Sequence, residues 1–397
     1  MKKVLIIEDD QIVASIYRNK LAGEGFQVEV AHNGEAGLDS IRGFLPDVVI
    51  LDLVLPKISG VELMKIVRAE PPFQALPLIV FSNTYLTALV QDAWKAGATK
   101  CLSKASCTPK QVIEAVRSVL NLSEESPPRP AHPGARIPFV APSPSLANDA
   151  DAQFQTEMRS AFVTTLPEML LTLRNSIKAL GKADSESSRA GHAQDLYRRV
   201  HTLTGNANLA GLPVISQMAE ALEALLKELY EKPNVINASN LRTVATAIDF
   251  LGILFDHAAA PGQQPPPSAQ ILVVDDEAIS RRAITLALDR ARLKSTAIED
   301  PNVAYKLLTE GSYDLIFLDV DMPGMNGYEL CTKLRALPRY KLTPVVFVTS
   351  LNDFESRTSS MMSGGNDFIA KPFHFLELAV KALVYVLRGK YPIGRKR

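Results

Sequence analysis

The sequence predicts a multidomain chain: two doubly wound α/β domains, each a five-stranded parallel sheet, flanking an all-α bundle of four helices. Three observations carry that prediction. The outer parts of the chain repeat one another at a fixed offset, and each copy alternates short Val/Ile/Leu runs with amphipathic segments. The middle part has no strand-like run, and proline-rich stretches separate it from its neighbours. The resulting boundaries are a first domain at 1–122, a linker at 123–148, the helical block at 149–257, a linker at 258–269, a second α/β domain at 270–390 and a basic tail at 391–397.

Composition narrows the function. At 397 residues the chain has room for two to four domains of ~100–200 residues each. Lys+Arg and Asp+Glu balance at 43 each, so net charge gives no argument for direct nucleic-acid binding. The tail "RGKYPIGRKR" is as well explained by a solvated terminus. Three cysteines without metal-ligand spacing suit a reducing compartment. In "MKKVLIIEDD" acids follow a short apolar run at once, which is no signal peptide, and no apolar run approaches the ~20 residues of a membrane span. The expected location is the cytoplasm, without membrane insertion.

Taken in order, the elements of the first copy are apolar runs near 3–8, 26–31, 47–52, 77–82 and 99–103, separated by segments such as "QIVASIYRNKLAGEG". Continuous apolar strands alternating with helices imply a parallel sheet covered on both faces. "VLIIEDD" is matched by "ILVVDDE", "DVVILDLVLPKISG" by "DLIFLDVDMPGMNG", "PLIVFSN" by "PVVFVTS" and "KCLSKA" by "DFIAKP". One offset relates Glu8 to Asp275, Asp52 to Asp319, Ser82 to Thr349 and Lys104 to Lys371. No net insertion separates the copies.

Those residues all sit at strand ends, where doubly wound folds bind ligands. In one copy they are Glu8, Asp9, Asp52, Ser82 and Lys104; in the other, Asp275, Asp276, Asp319, Thr349 and Lys371. Three carboxylates converging in one pocket repel and call for a cation, for which Mg²⁺, with its oxygen ligands, is suited. One carboxylate can then attack a phosphoryl group while metal, lysine and hydroxyl hold its oxygens. A single Asp at a strand end is ordinarily a cap or turn residue. The recurrence of the whole set at one offset reverses that reading.

The middle block reads as four helices, "DAQFQTEMRSAFVTTLPEMLLTLRNSIKAL", "SRAGHAQDLYRRVHTLTGNANLAG", "LPVISQMAEALEALLKELYE" and "NASNLRTVATAIDFLGILFDH". On the second, Leu196, Val200, Leu203, Ala207 and Ala210 form the buried stripe. Arg198, His201, Gly205 and Asn208 form a neighbouring stripe expected to face solvent. Alone, His201 would be an ordinary surface histidine.

Both end blocks resemble response-regulator receiver domains of two-component signalling, and the middle block resembles a histidine phosphotransfer (HPt) domain. The resemblance implies the flavodoxin-like fold, with Asp52 and Asp319 as phospho-acceptors. It implies metal ligation by Glu8, Asp9, Asp275 and Asp276, joined by the backbone carbonyls of Val54 and Asp321. Ser82 and Thr349 would bind the phosphoryl group, and Lys104 and Lys371 would pair with it. Pro56, Gly60, Pro323 and Gly327 match the loop that the family places after the acceptor. The second copy carries the family's Pro372 and Phe368, where the first has Ala105 and Cys101 and places Asn83 beside its hydroxyl. His201 would be the HPt histidine; Gly205 matches that family, and Thr204 takes the place of its lysine.

No glycine-rich nucleotide loop is present, so the expected protein is not a kinase. It is a phosphorelay intermediate served by a separate histidine kinase, with output to a downstream signalling protein through protein contacts; a receiver-mediated dimer is compatible with this. The alternative is a non-relaying scaffold or phosphate sink in which His201 is inert.

Overall fold

The computed structural model describes residues 1–82, 87–104, 107–122, 149–258, 268–349 and 363–391. The stretch 123–148, most of the second linker, Asn83, Ala105 and residues 392–397 lie outside the described residues.

The first α/β block runs β1 (Lys3–Ile7), α1 (Gln11–Gly23), β2 (Gln27–Ala31), α2 (Gly34–Phe44), β3 (Val48–Leu51), α3 (Gly60–Ala69), β4 (Leu78–Ser82), α4 (Thr87–Lys95), β5 (Lys100–Ser103) and α5 (Pro109–Leu122). Its strands pair in parallel in the order β2-β1-β3-β4-β5. Every residue of β3 and β4 is buried, as a sheet covered on both faces requires, while the edge strands β2 and β5 are only half-buried. Strand order reverses between β1 and β3, leaving a crevice at their carboxyl ends. Glu8 and Asp52 follow those two strands directly.

The helical block comprises α6 (Asp149–Lys182), α7 (Glu186–Leu209), α8 (Pro213–Glu231) and α9 (Ala238–Ala258). The predicted stripe of α7 is buried: Leu196, Val200, Leu203 and Ala207 are 0% exposed and Ala210 2%.

The second α/β block repeats the first: β6 (Ile271–Val274), α10 (Ala278–Arg290), β7 (Ser295–Ile298), α11 (Pro301–Glu310), β8 (Leu315–Asp319), α12 (Gly327–Ala336), β9 (Val345–Thr349), β10 (Asp367–Ala370) and α13 (Phe375–Lys390). Its sheet is again five-stranded and parallel, ordered β7-β6-β8-β9-β10.

The chain forms two compact units, residues 1–165 with 205–212 and residues 166–204 with 213–397. The helical block contributes to both. Within the first unit, Met158 of α6 and Leu209 of α7 belong to the same apolar cluster as Val13, Tyr17, Val112 and Val116. Within the second, α13 packs on α8, α9 and α10. Among the described residues, no helix is long and apolar enough to cross a membrane.

Candidate functional site

In the first α/β block, Glu8, Asp9 and Asp52 bring carboxylate oxygens to within 4.8 Å of one another. Glu8 and Asp52 are buried, Asp9 half-buried. Lys104 Nζ lies 2.6 Å from Asp52 Oδ2 and 2.9 Å from Glu8 Oε2. Burial pushes the Glu8 carboxyl well above the usual carboxylate range despite Lys104, and the neighbouring Asp52, Asp9 and Asp10 add to the rise. Burial also opposes the charge of Lys104, but Asp52 and Glu8 outweigh it and hold its pKa above the ordinary lysine value. Asp52 Oδ1 accepts from the Leu53 N–H at 2.6 Å, which orients the carboxylate. The Ser82 hydroxyl, at the end of β4, is buried and has no hydrogen-bond partner among the described residues. Such a group costs about 1–3 kcal/mol, so an oxygen-bearing ligand fits there.

The second block assembles the same set. Asp275, Asp276 and Asp319 place oxygens within 4.8 Å, with Asp275 and Asp319 buried and Asp276 exposed. Lys371 Nζ lies 2.9 Å from Asp319 Oδ2 and 3.0 Å from Asp275 Oδ2. Burial raises the Asp319 carboxyl above its usual range, and the hydrogen bond from Lys371 limits the rise. Asp319 Oδ1 accepts from the Val320 N–H at 2.8 Å, the counterpart of the Leu53 contact. Thr349 is buried at the end of β9.

Two further repeat-related residues lie at the opposite, amino-terminal ends of the strands. Arg68 donates to the carbonyls of Phe73, Leu76 and Gly97, and Arg335 donates to those of Tyr340, Thr343 and Gly364. Both arginines obey the repeat offset, which would have found them. The loops after Asp52 and Asp319 close at Gly60 and Gly327, where a Cβ would overlap the carbonyl oxygens of those two aspartates.

His201 is not solvent-facing, as its helical stripe suggested. It is 3% exposed, and its Nδ1 lies 2.7 Å from Oε1 of Glu223, a buried residue of α8. A carboxylate only accepts, so Nδ1 carries the proton of this bond, and in the neutral ring Nε2 then holds the lone pair. Gly205 is likewise buried and Asn208 half-buried. Thr204 turns inward, its hydroxyl donating to the Val200 carbonyl at 2.8 Å, so it supplies no surface charge in place of a lysine. Arg198, the nearest candidate for that charge, is 3.4 Å from Asp195. Glu223 stands 22 residues from His201 and carried no signal in the sequence.

A profile of the response regulator receiver domain matches residues 4–117 and again 271–382. The chain belongs to the response-regulator receiver family. A profile of the Hpt domain matches residues 157–251, so two receivers flank one Hpt domain, all signalling modules of phosphorelays rather than a kinase domain. Among curated proteins, the chain is similar to the transcriptional regulatory protein ResD of Bacillus subtilis (strain 168), 38% identical over 117 residues, 29% of this chain and 48% of the relative. It is also similar to the transcriptional regulatory protein SrrA of Staphylococcus aureus (strain NCTC 8325 / PS 47), 37% identical over 119 residues, 30% of this chain and 48% of the relative. The chain thus spans about half the length of the curated relatives it matches. Among solved structures it is similar to the Francisella response regulator 1452 receiver domain, at 28% identity and TM-score 0.29, covering 30% of this chain and 98% of that one. Vibrio cholerae chemotaxis protein CheY4 gives 28% identity and TM-score 0.29, covering 30% and 99%.

Proposed function

We propose that Asp52 and Asp319 accept phosphoryl groups and exchange them with His201. The observation that carries this reading is the pair of buried pockets, each with a lysine Nζ within 2.9 Å of its acceptor aspartate and two further acids beside it. The donor set is all hard oxygen and suits Mg²⁺, which would be held by Glu8, Asp9 and Asp52, and by Asp275, Asp276 and Asp319, with the backbone carbonyls of Val54 and Asp321. When bound, the ion neutralises phosphoryl oxygens as negative charge builds on them.

The chain's own groups do the rest. The Leu53 and Val320 N–H groups fix Oδ1 of each acceptor. A carboxylate oxygen forms the new bond to phosphorus while the donor's bond breaks and its electron pair leaves with the donor. Lys104 and Lys371 neutralise one phosphoryl oxygen, and the Ser82 and Thr349 hydroxyls donate to another. In exchange with the Hpt domain, the Nε2 lone pair of His201 attacks phosphorus and the aspartate carboxylate departs with the bonding pair. Glu223 keeps the Nδ1 proton in place and offsets the charge that the ring acquires. A histidine kinase would feed the relay and a downstream signalling protein would read it, in the cytoplasm. The free thiols Cys101, Cys107 and Cys331 accord with that compartment.

The burial of His201 and the inward turn of Thr204 favour a second reading, a scaffold or phosphate sink in which His201 is inert. Labelling with a small phosphodonor and Mg²⁺ separates the two. The relay requires acid-labile label that disappears in His201→Gln and depends on an aspartate. Label confined to Asp52 and Asp319 would leave the scaffold.

A further inference from the structure

Helix α13 of the second receiver packs on α9 of the Hpt domain, and both belong to one compact unit. Between them lies a cavity that phosphoryl transfer does not use. We propose that this cavity binds a small phosphate-bearing ligand through Arg242 and Arg388.

The two helices are fastened near the start of α13, where Ser239 Oγ and Thr243 Oγ1 donate to Glu377 Oε1 at 2.6 and 3.0 Å. Further along α13 the cavity holds about 300 Å³, a volume at the lower end of small-ligand pockets. Lys381, Tyr385 and Arg388 line it from α13, where their spacing puts them on one face. Arg242 and Thr246, one turn apart, line it from α9. Asn366 and Asp367 line it at the start of β10. That is the amino-terminal end of the strand, whereas Asp319 ends its own strand in the same parallel sheet. The cavity is therefore a separate place from the acid pocket of Asp319.

Its charge is unbalanced, with three cations against one carboxylate. Asp367 is committed within the protein: Oδ2 accepts from Lys381 Nζ at 3.0 Å and Oδ1 from the Phe368 N–H at 2.8 Å. Glu377 lies 4.0 Å from the same lysine, so Lys381 is neutralised. The arginines are not. Among the described residues, neither Arg242 nor Arg388 has a carboxylate within ion-pair distance. Arg388 Nε is buried and has no hydrogen-bond partner among them. Its guanidinium carbon stands 5.8 Å from the centre of the Phe250 ring, which steadies the group but offers it no oxygen. A buried guanidinium N–H without an acceptor is costly, and an anionic oxygen in the cavity removes that cost.

The donors select the class of ligand. Two guanidinium forks, one from each wall, suit a group with several charged oxygens, as a phosphate or diphosphate has. Neutral donors stand beside them. Asn366 Oδ1 already accepts from the Val345 N–H at 2.8 Å and from Arg335 at 3.0 Å, which leaves its amide N–H groups to donate. The Thr246 and Tyr385 hydroxyls line the same space. A ligand held by both arginines would tie α9 to α13, and so the Hpt domain to the second receiver.

The test is titration calorimetry on the full chain at fixed ionic strength without Mg²⁺, with pyrophosphate and AMP as probes. Without the metal, the acid pockets of both receivers repel these anions. Saturable binding is expected. Arg242→Gln and Arg388→Met should each weaken it about tenfold or more, the loss of one charge-assisted contact. Thr246→Glu sets a carboxylate among the same guanidinium groups and should abolish binding in a folded chain, which keeps the test decisive if Arg388→Met does not fold. Tighter binding of AMP would identify a nucleoside phosphate, and tighter binding of pyrophosphate a condensed inorganic phosphate; either supports the site. Hydrogen exchange at residues 242–246 and 381–388 should slow when the tighter probe is added. Saturable binding of neither probe, or binding that Arg242→Gln and Thr246→Glu leave unchanged, overturns the proposal.

Discussion

The two receivers carry matching sets of acids, hydroxyl and lysine at the same strand ends, yet they enclose them to different degrees. In the first, the Lys104 side chain is 5% exposed and bridges a Glu and an Asp; in the second, the Lys371 side chain is 17% exposed and bridges two Asp residues. Asp52 is the more enclosed acid of its pair at 1% against 6% for Asp319, whereas Glu8, at 4%, is no deeper than Asp275 at 0%. The loop after Asp52 differs from the loop after Asp319 too, with Lys57 at φ 70° where the second receiver has Gly324 at φ 80°. The chemistry is therefore specified by a handful of strand-end residues, while its burial and loop strain are set independently in each copy.

Removing the lysine should break the likeness most. Lys104→Met leaves two buried carboxylates without their cation and should cost the first receiver about 3 kcal/mol in metal-free buffer. Lys371→Met, in a more open pocket, should cost about half as much, and millimolar Mg²⁺ should restore part of either loss. Chemical denaturation with and without Mg²⁺ checks this; equal losses would erase the distinction. Gly60→Ala and Gly327→Ala, by contrast, should behave alike. Each forces a Cβ into the carbonyl of Asp52 or Asp319 and should lower stability by about 2 kcal/mol, since the loop cannot yield without moving that aspartate.

Smaller effects sharpen the contrast. Lys57→Gly should stabilise the first receiver by about 1 kcal/mol and Gly324→Lys destabilise the second by a similar amount, because only glycine adopts that backbone conformation without cost. The Lys57–Glu35 pair lost in the first case is too exposed to reverse the sign. Smallest in stability is the position matching Phe368, occupied by Cys101. Burial pushes the Cys101 thiol up to about 12, so at pH 8 it should alkylate about a thousandfold more slowly folded than unfolded. The folded state favours the protonated thiol, so its contribution is flat at neutral pH and becomes destabilising as pH rises past the unfolded thiol's value. Rapid alkylation of the native protein would show that position to be open.

Much of this was legible because it depends on local pattern and repetition. The apolar runs of the first copy became β1 to β5, and the shared offset placed Glu8, Asp52, Ser82 and Lys104 at one crevice. The same offset held Arg68 and Arg335, which were overlooked because a lone arginine on an amphipathic helix looks like solvated charge. His201 was misjudged for a different reason. Helical spacing tells which residues share a face, but not what packs against that face, and Glu223 comes from another helix.

By itself, then, the sequence determined the strands, the helices, the repeat and the acids, hydroxyls and lysines at the strand ends, since period and register are properties of neighbouring residues. Tertiary structure alone decided the burial of His201 on Glu223, the Asp10–Asn206 hydrogen bond and the attachment of Glu377 to Ser239 and Thr243. Each of these joins side chains far apart in the chain, and such pairs come together only when folding has chosen which faces meet.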